Sequence, residues 1–215
     1  PEKEVKRVFL ALDVTDESLE AAVKAGADMM ITHHPLIFSG IKKVTADNFI
    51  SRRIIGLIEN GISYYAMHTN FDVLGEILEV TYDREGRQEG LGRVGNLAEA
   101  QTLEAFGRFV KEKFQLPFVK VYGDLNKKVE RVAVCTGSGK SLMPSVLHSQ
   151  ADVYVTADMD YHSSIDAVSQ GICVIDAGHY GTEYIFMDYM EEELGQMLPE
   201  LEVEKMRVQH PCKAI

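Results

Sequence analysis

The sequence contains little cysteine and no long apolar run. Its 215 residues include three cysteines, Cys135, Cys173 and Cys212, which stand far apart without Cys-x-x-Cys spacing. This spacing suggests neither a disulfide framework nor a zinc ribbon, so a reducing cytoplasm is the expected location. No run approaches the roughly 18 apolar residues of a membrane span, and the first residues lack a signal-peptide pattern. We therefore expect a soluble protein without a membrane partner; a segment preceding Pro1 would not be visible in this sequence.

Basic residues are also in the minority. Lysine and arginine total 22 against 33 aspartate and glutamate residues, which gives a formal net charge of −11. Because the acidic residues are spread along the chain, no basic face is expected that could neutralise the phosphates of duplex nucleic acid. A chain that is 46% hydrophobic at this length can bury one large core or two small ones. Composition thus indicates a globular protein that does not bind duplex nucleic acid.

The first part of the chain alternates apolar strands with helices. The segment VKRVFLALDVT predicts a buried strand, DESLEAAVKAG a helix with acidic residues near its positive end, and ADMMITHHP a second strand. A helix over ADNFISRRIIGLIEN and a strand over ISYYAM follow, with Gly61 between them as a helix C-cap. This alternation predicts an α/β fold with a mainly parallel sheet covered by helices.

The same pattern starts again in the second half. Residues 7–32 align without a gap on residues 131–156, with identities at Arg7/Arg131, Val8/Val132, Ala27/Ala151, Asp28/Asp152 and Thr32/Thr156. ENGISYYAMHTNFD also resembles SQGICVIDAGHYGTE. We interpret the match as an internal duplication, the alternative being a chance likeness between two βαβ units. The predicted division is a first α/β half over 1–75, a connecting β-rich segment with a helix and a strand over 76–130, and a pseudo-repeat of the first half over 131–215.

Residue types that bind metals stand where the predicted strands end. They are His33, His34, His68, Asp72, His179 and Glu183. Ligands of open α/β sheets gather beyond the carboxyl ends of the strands, and imidazole with carboxylate suits Zn, Fe, Mn, Co or Ni. Adjacent side chains of a strand point opposite ways, so His33 and His34 would each serve a different ion, whereas a spacing of four brings His179 and Glu183 together on a helix. The set exceeds the needs of one ion and predicts a dinuclear site.

Other polar features carry weaker expectations. CTGSGKS resembles the end of a phosphate-binding P-loop, but Val134 stands where that pattern requires glycine, so ATPase chemistry is not expected, although the loop could still present N–H groups to an anion. We interpret Cys135 as a buried structural thiol rather than a nucleophile. His162 either lines the site or acts as a supporting hydrogen-bond partner or helix cap. His148 and His210 lack carboxylates at useful spacing and are expected at the surface.

Six segments together resemble the signature segments of the NIF-three-like family, dinuclear-metal proteins also described as type-2 GTP cyclohydrolase I homologues. They are ALDVT, GADMMITHHPLIF, YAMHTNFDV, CTGSGKS, ADVYVTADMDYH and VIDAGHYGTE, and they cover both halves of the chain. The resemblance implies a duplicated α/β fold and a toroidal homohexamer whose metal sites face an internal cavity. It also implies two metal ions per subunit, with the ligands His33, His34, Asp72, His179 and Glu183. Glu183 would bridge the ions, and His68 would be an extra ligand or a proton-transfer group.

The sequence departs from the family pattern before the first strand and after Gly75. The usual N-terminal helical stretch is absent, and HTNFDVLG is followed at once by EILEVTYD where relatives have a longer segment. Either residues are missing from the sequence at Gly75 or the loop is short. The inserted middle domain of some relatives is absent as well, which indicates a compact version of the fold.

The predicted ligand set is compatible with two functions. The preferred hypothesis is a metal-dependent hydrolase in which two ions activate a bridging water and His68 acts as general acid or base. The resemblance implies a small-molecule substrate, possibly a nucleotide such as GTP, for which Arg93 and Lys140 are the candidate phosphate contacts. The alternative is a non-catalytic metal-binding, chaperone-like or regulatory oligomer, which a ligand set without an open coordination position would favour.

Overall fold

The computed structural model describes residues 3–67, 76–84, 87–213 and 215. In chain order its elements are β1 (Arg7–Ala11), α1 (Asp16–Lys24), β2 (Met29–Thr32), α2 (Phe49–Glu59), β3 (Ser63–Ala66), β4 (Glu76–Arg84), β5 (Arg87–Thr102), α3 (Leu103–Lys113), β6 (Lys120–Tyr122), β7 (Lys128–Ser138), a 3₁₀ turn (Lys140–Leu142), α4 (Met143–His148), β8 (Val153–Ala157), α5 (Tyr161–Ser169), β9 (Cys173–Asp176), α6 (His179–Glu183), α7 (Ile185–Met197) and β10 (Glu202–Lys205). The chain divides into a first unit, Pro1–Thr69 with Tyr184–Gln209, and a second unit, Asn70–Glu183 with His210–Ile215.

The first unit is built on a four-stranded parallel sheet. Its strand order is β10-β1-β2-β3, and each neighbouring pair is parallel. Helix α2 begins at Phe49 because the Asn48 side chain accepts hydrogen bonds from the N–H groups of Ile50 and Ser51, at 2.9 and 3.2 Å. One face of this helix carries Ile54 and Leu57, which pack into a core with Met30 on β2. These contacts cover the sheet on the side of α2.

The second unit contains a six-stranded mixed sheet in the order β4-β5-β7-β8-β9-β6. Strands β7, β8 and β9 are parallel to one another, and the remaining pairs are antiparallel. Alternate residues of β8 enter two different cores: Tyr154 joins one cluster with Val174, while Val153 and Val155 join the other with Ile175. A central parallel strand that is covered on both faces reads as a continuous apolar run, as β8 does.

The two units share the strand register that the sequence alignment predicts. Val8 pairs with Met29 across β1 and β2, and the aligned residues Val132 and Val153 pair in the same way across β7 and β8. The next two pairs in each sheet follow the same alignment. The α/β class with parallel-rich sheets covered by helices, predicted from the sequence, is therefore confirmed.

Two of the identities between the halves have the same structural role. Asp28 Oδ2 accepts hydrogen bonds from the N–H groups of Arg7 and the residue before it, at 3.1 and 3.0 Å, and Asp152 Oδ2 makes the equivalent bonds to Arg131 and its predecessor, both at 2.9 Å. The guanidinium of each arginine donates to a carbonyl at the end of the following helix, at 2.8 Å in both units. The matched Asp–Arg pairs thus join a strand entry to a helix end in both units.

The division at 1–75, 76–130 and 131–215 describes a pseudo-repeat and a connector, and it stays a prediction. The pairing of strands into sheets divides the chain differently from these sequence boundaries. Strands β4, β5 and β6 share one sheet with β7, β8 and β9, while β10 pairs with β1 at Arg7 and Glu202 in the first unit. Within the residues that the structure describes, no helix combines the length and apolar character needed to cross a bilayer.

Candidate metal centre

In the first unit, His33 and His34 directly follow β2, which ends at Thr32. The His34 N–H donates to Leu12 O at 3.0 Å, which holds the pair beside the end of β1. His33 is 3% exposed, and its ring lies 4.9 Å from that of His34 and 5.3 Å from that of Phe186. Because the strand stops before them, the alternation that we expected to separate the two side chains does not apply, and the rings meet edge to face.

A carboxylate orients His34. Its Nδ1 lies 2.9 Å from Asp13 Oδ1, and the Thr32 hydroxyl donates to the backbone carbonyl of His34 at 2.6 Å. Since a carboxylate accepts the hydrogen bond, the Nδ1 proton is held in place and Nε2 is the nitrogen suited to bind a metal. Asp13 was not among the predicted site residues, because it falls within VKRVFLALDVT, the segment predicted as a buried strand, whereas β1 ends at Ala11.

In the second unit, α6 places His179 and Glu183 side by side, as their spacing of four predicts. His179 Nε2 lies 3.0 Å from Glu183 Oε2, and His179 Nδ1 lies 2.5 Å from Asp158 Oδ2. The Glu183 carboxylate, and secondly that of Asp158, raises the pKa of His179 to about 9, against the opposing effect of burial. The metal-free protein therefore holds a protonated imidazole between two carboxylates at neutral pH.

Asp158 has an unusual backbone conformation. Its φ is +54°, in the left-handed region that non-glycine residues seldom adopt. Aspartate tolerates this region better than most residues, and here it directs the carboxylate onto His179. Such conformations persist where the surrounding structure imposes them, and they concentrate at functional sites.

Gly137 makes room for the Glu183 carboxylate. This residue of the CTGSGKS segment has φ +64°, and a Cβ placed on it would lie 2.2 Å from Glu183 Oε1 and 3.3 Å from His179 Nε2. Its N–H donates to Thr182 Oγ1 at 2.9 Å. Gly139 serves close packing as well, because a Cβ there would lie 2.0 Å from the Tyr154 hydroxyl oxygen. The glycines of this segment are thus explained by close approach within the unit.

The remaining histidines and the thiol divide between surface and interior. His148 is exposed, as expected, and Cys135 is buried at 6% exposure, also as expected. His162 is exposed on α5 beside the Tyr161 ring, and the residue that caps this helix is Asp160. His210 was expected at the surface, but it is half-buried with its ring 5.4 Å from that of Tyr180.

Two predicted site residues, His68 and Asp72, lie outside the described residues. The other four are placed in pairs, His33 with His34 in the first unit and His179 with Glu183 in the second. Both units contain a histidine whose Nδ1 bonds to a carboxylate. The metal-ligand roles predicted for these residues from the sequence remain predictions.

The sequence profile of the Duf34/NIF3 family (NGG1p interacting factor 3) matches residues 1–211. The chain belongs to this family. Relatives named GTP cyclohydrolase 1 type 2 homolog include that of Streptococcus pneumoniae, 36% identical over 211 residues that cover 91% of this chain and 79% of the relative. The protein of the same name from Methanocaldococcus jannaschii is 32% identical over 208 residues, covering 92% and 83% of the two chains.

Solved structures of related proteins share the Duf34/NIF3 fold seen in this chain. The Staphylococcus aureus hypothetical protein SA1388 matches with a TM-score of 0.85 at 27% identity, over 99% of this chain and 88% of the other. A Bacillus cereus protein related to NIF3 matches with a TM-score of 0.86 at 24% identity, over 98% and 90%. The family resemblance predicted from the six sequence segments is confirmed.

Proposed function

We propose that this Duf34/NIF3 protein binds divalent metal ions and uses them to hydrolyse a small-molecule substrate. The observation that carries the proposal is the geometry around His179, whose Nε2 lies 3.0 Å from Glu183 Oε2 while Nδ1 is held by Asp158. Two ligand atoms, each about 2.0–2.1 Å from a tetrahedral ion, lie about 3.3 Å apart. The two atoms are therefore spaced much as two ligands of one ion would be.

The surroundings of these groups support metal binding. A histidine that binds metal almost always donates its other N–H to a carboxylate, carbonyl or water, which is how His179 and His34 are arranged. His33 and Glu183 are buried and His34 is half-buried. Buried charged groups are found paired or bound to metals. Gly137 leaves space beside the Glu183 carboxylate that any side chain would fill.

The proposed ligands are those predicted from the sequence, His33, His34, Asp72, His179 and Glu183. We propose that they hold two ions drawn from Zn, Fe, Mn, Co and Ni, since imidazole and carboxylate suit all five. Such ions, when bound, lower the pKa of a bound water toward neutrality and polarise an electrophile. The chain's own contribution is orientation: Asp158 and Asp13 fix the imidazoles, and His68 is the proposed proton-transfer group. The relatives' name, GTP cyclohydrolase 1 type 2 homolog, supports a cyclohydrolase-type reaction.

Elemental mass spectrometry of protein purified without chelator or nickel resin tests the metal. We expect close to two first-row ions per chain, fewer in His179→Ala and Glu183→Gln, and no change in the matched control His148→Ala, whose histidine is exposed on α4. Metal near zero, with no uptake on reconstitution, would refute the proposal.

A hydrolase substrate panel on the same preparation tests catalysis. Turnover that falls together with metal content in His179→Ala would support the hydrolase. Full metal content with no turnover of any substrate would instead favour the alternative, a non-catalytic metal-binding, chaperone-like or regulatory protein.

A further inference from the structure

A cavity of about 320 Å³ lies beside His179 within the second unit. It lies between the start of α6, the segment leading into β6 and the C-terminal residues. The side chains that matter for recognition are Pro117, Phe118, Lys120, Tyr180, His210 and Cys212. This size is at the lower end of the range for small-molecule pockets, which is about 300–1,000 Å³. The cavity has room for one ring system with small substituents.

Rings and apolar groups form most of the cavity wall. Tyr180 and His210 pack edge to face, with centroids 5.4 Å apart and planes at 76°. Phe118 and Pro117 contribute further flat apolar surface. Aromatic side chains recognise planar groups by stacking and edge contacts. The wall therefore favours a flat ring over an extended or strongly solvated chain.

The lysine charge in this cavity is already matched by a carboxylate. Lys120 Nζ lies 2.9 Å from Asp176 Oδ2, and the Asp176 side chain is only 2% exposed. This hydrogen bond raises the pKa of Lys120 above its ordinary value, so the ammonium stays charged and bound to Asp176. The carboxylate of Asp158 also lines the cavity. In the metal-free protein the lining side chains thus supply no excess positive charge for a triphosphate.

The residues considered from the sequence as phosphate contacts do not supply that charge. Neither Lys140 nor Arg93 lines this cavity. Lys140 Nζ lies 2.5 Å from Asp160 Oδ2, and Arg93 Nη1 donates to the carbonyls of Gly90 and Gly92, at 3.2 and 2.8 Å. Both cations are engaged with other parts of the second unit.

We propose that this cavity is the substrate pocket of the hydrolase and that its side chains bind an uncharged aromatic or heteroaromatic ring bearing a carbonyl oxygen, which the metal-free protein takes in preference to a nucleoside triphosphate. The assignment as a substrate pocket rests on the proposed function, whereas ring binding needs only the residues named above. The Lys120 ammonium has three N–H donors, so it can donate to the carbonyl while it remains bound to Asp176. The ring then packs against Tyr180 and Phe118 with one edge toward His179.

Cys212 provides a direct readout of occupancy. It lines the cavity and is exposed, whereas Cys135 and Cys173 are only 6% and 3% exposed. Modification of the intact chain by Ellman's reagent should therefore report Cys212 first, and Cys212→Ser should abolish the fast phase. The assay uses protein freed of metal with EDTA, so its result does not depend on metal binding.

Guanosine and GTP, each at about 2 mM, test the preference for an uncharged ligand, because they carry the same ring and only GTP carries a triphosphate. We expect guanosine to slow the modification of Cys212 at least about threefold and GTP to slow it less than about 1.5-fold, since protection follows the fraction of sites occupied. Protection by GTP equal to or stronger than that by guanosine would overturn the preference for an uncharged ligand. No protection by guanosine would overturn the pocket assignment.

A pair of variants tests the ring contact. Tyr180→Phe keeps the aromatic face and should retain protection by guanosine, whereas Tyr180→Ala removes the face and should lose it, with unchanged circular dichroism in both. Equal protection in the two variants would contradict the role of Tyr180. Metal content is measured separately, on protein not treated with EDTA. If that protein contains metal but guanosine does not protect Cys212, this inference alone is refuted. If guanosine protects Cys212 but the protein contains no metal, the proposed function alone is refuted.

Discussion

Replacing Gly137 by alanine tests the candidate centre at its most crowded point. The added Cβ would lie 2.2 Å from Glu183 Oε1 and 3.1 Å from its Cδ, whereas ordinary van der Waals contact begins near 3.4 Å. The nearest atom is the end of a side chain, so the carboxylate must move by about 1 Å while the backbone can stay in place. The change thus displaces a proposed metal ligand without removing it.

Gly137→Ala should lower both the stability of the protein and its affinity for metal. At φ +64° an alanine costs about 1–2 kcal/mol relative to glycine, whatever the space around it. Displacing the Glu183 carboxylate, which His179 contacts, should lower metal affinity by at least about 10–100-fold, the range typical of disturbed supporting contacts. We therefore expect a modest loss of stability together with a large loss of metal.

The matched control is Gly171→Ala in the same unit. Gly171 also has a positive φ, +92°, but a Cβ there would meet nothing within 4 Å. Urea unfolding should show comparable destabilisation of the two variants, while a competition titration with a chromogenic chelator should show weakened metal binding in Gly137→Ala alone. Wild-type metal affinity in Gly137→Ala, or an equal loss in Gly171→Ala, would refute the reasoning.

Three further predictions concern the same residues and the assembly. Asp158→Asn keeps the side-chain shape and tolerates φ +54°, but it loses the charge that orients His179, so metal affinity should fall about 10–100-fold by competition titration; unchanged affinity would contradict a positioning role. Because His179 of the metal-free protein has a pKa of about 9, binding must displace a proton below that pH. Apparent affinity should therefore rise about tenfold per pH unit from 7 to 9 and then level off, and a flat profile would argue against His179 as a ligand. The homohexamer implied by the family resemblance predicts a mass near six times 24.0 kDa by light scattering, and a monomer mass would contradict it.

Much of the local structure could be predicted from the sequence because local forces decide it. Hydrophobic periodicity indicated the strands and helices of the first half, and the identities Asp28/Asp152 and Arg7/Arg131 indicated their repeat in the second. The approach of His179 and Glu183 follows from helical geometry, in which residues four apart are neighbours.

The predictions for the orientation of His33 and His34 and for the exposure of His210 were wrong, because they used rules that hold only within a strand or a short stretch of sequence. The alternation expected for His33 and His34 fails because β2 ends at Thr32, one residue before the pair. His210 was expected at the surface because it has no carboxylate at useful spacing in the sequence. Its neighbour in the structure is instead Tyr180, thirty positions earlier in the chain.

By itself, the sequence determined the α/β class, the register shared by the two halves and the presence of imidazole and carboxylate side chains at the strand ends, because periodicity and short spacings act within an element. Only the tertiary structure decided which carboxylate orients which histidine, since Asp13 and His34, like Asp158 and His179, are separated by 21 positions. It also decided that β10 pairs with β1 and that Gly137 makes room for Glu183. Such contacts depend on how distant segments pack, and no pattern within a short stretch of sequence encodes them.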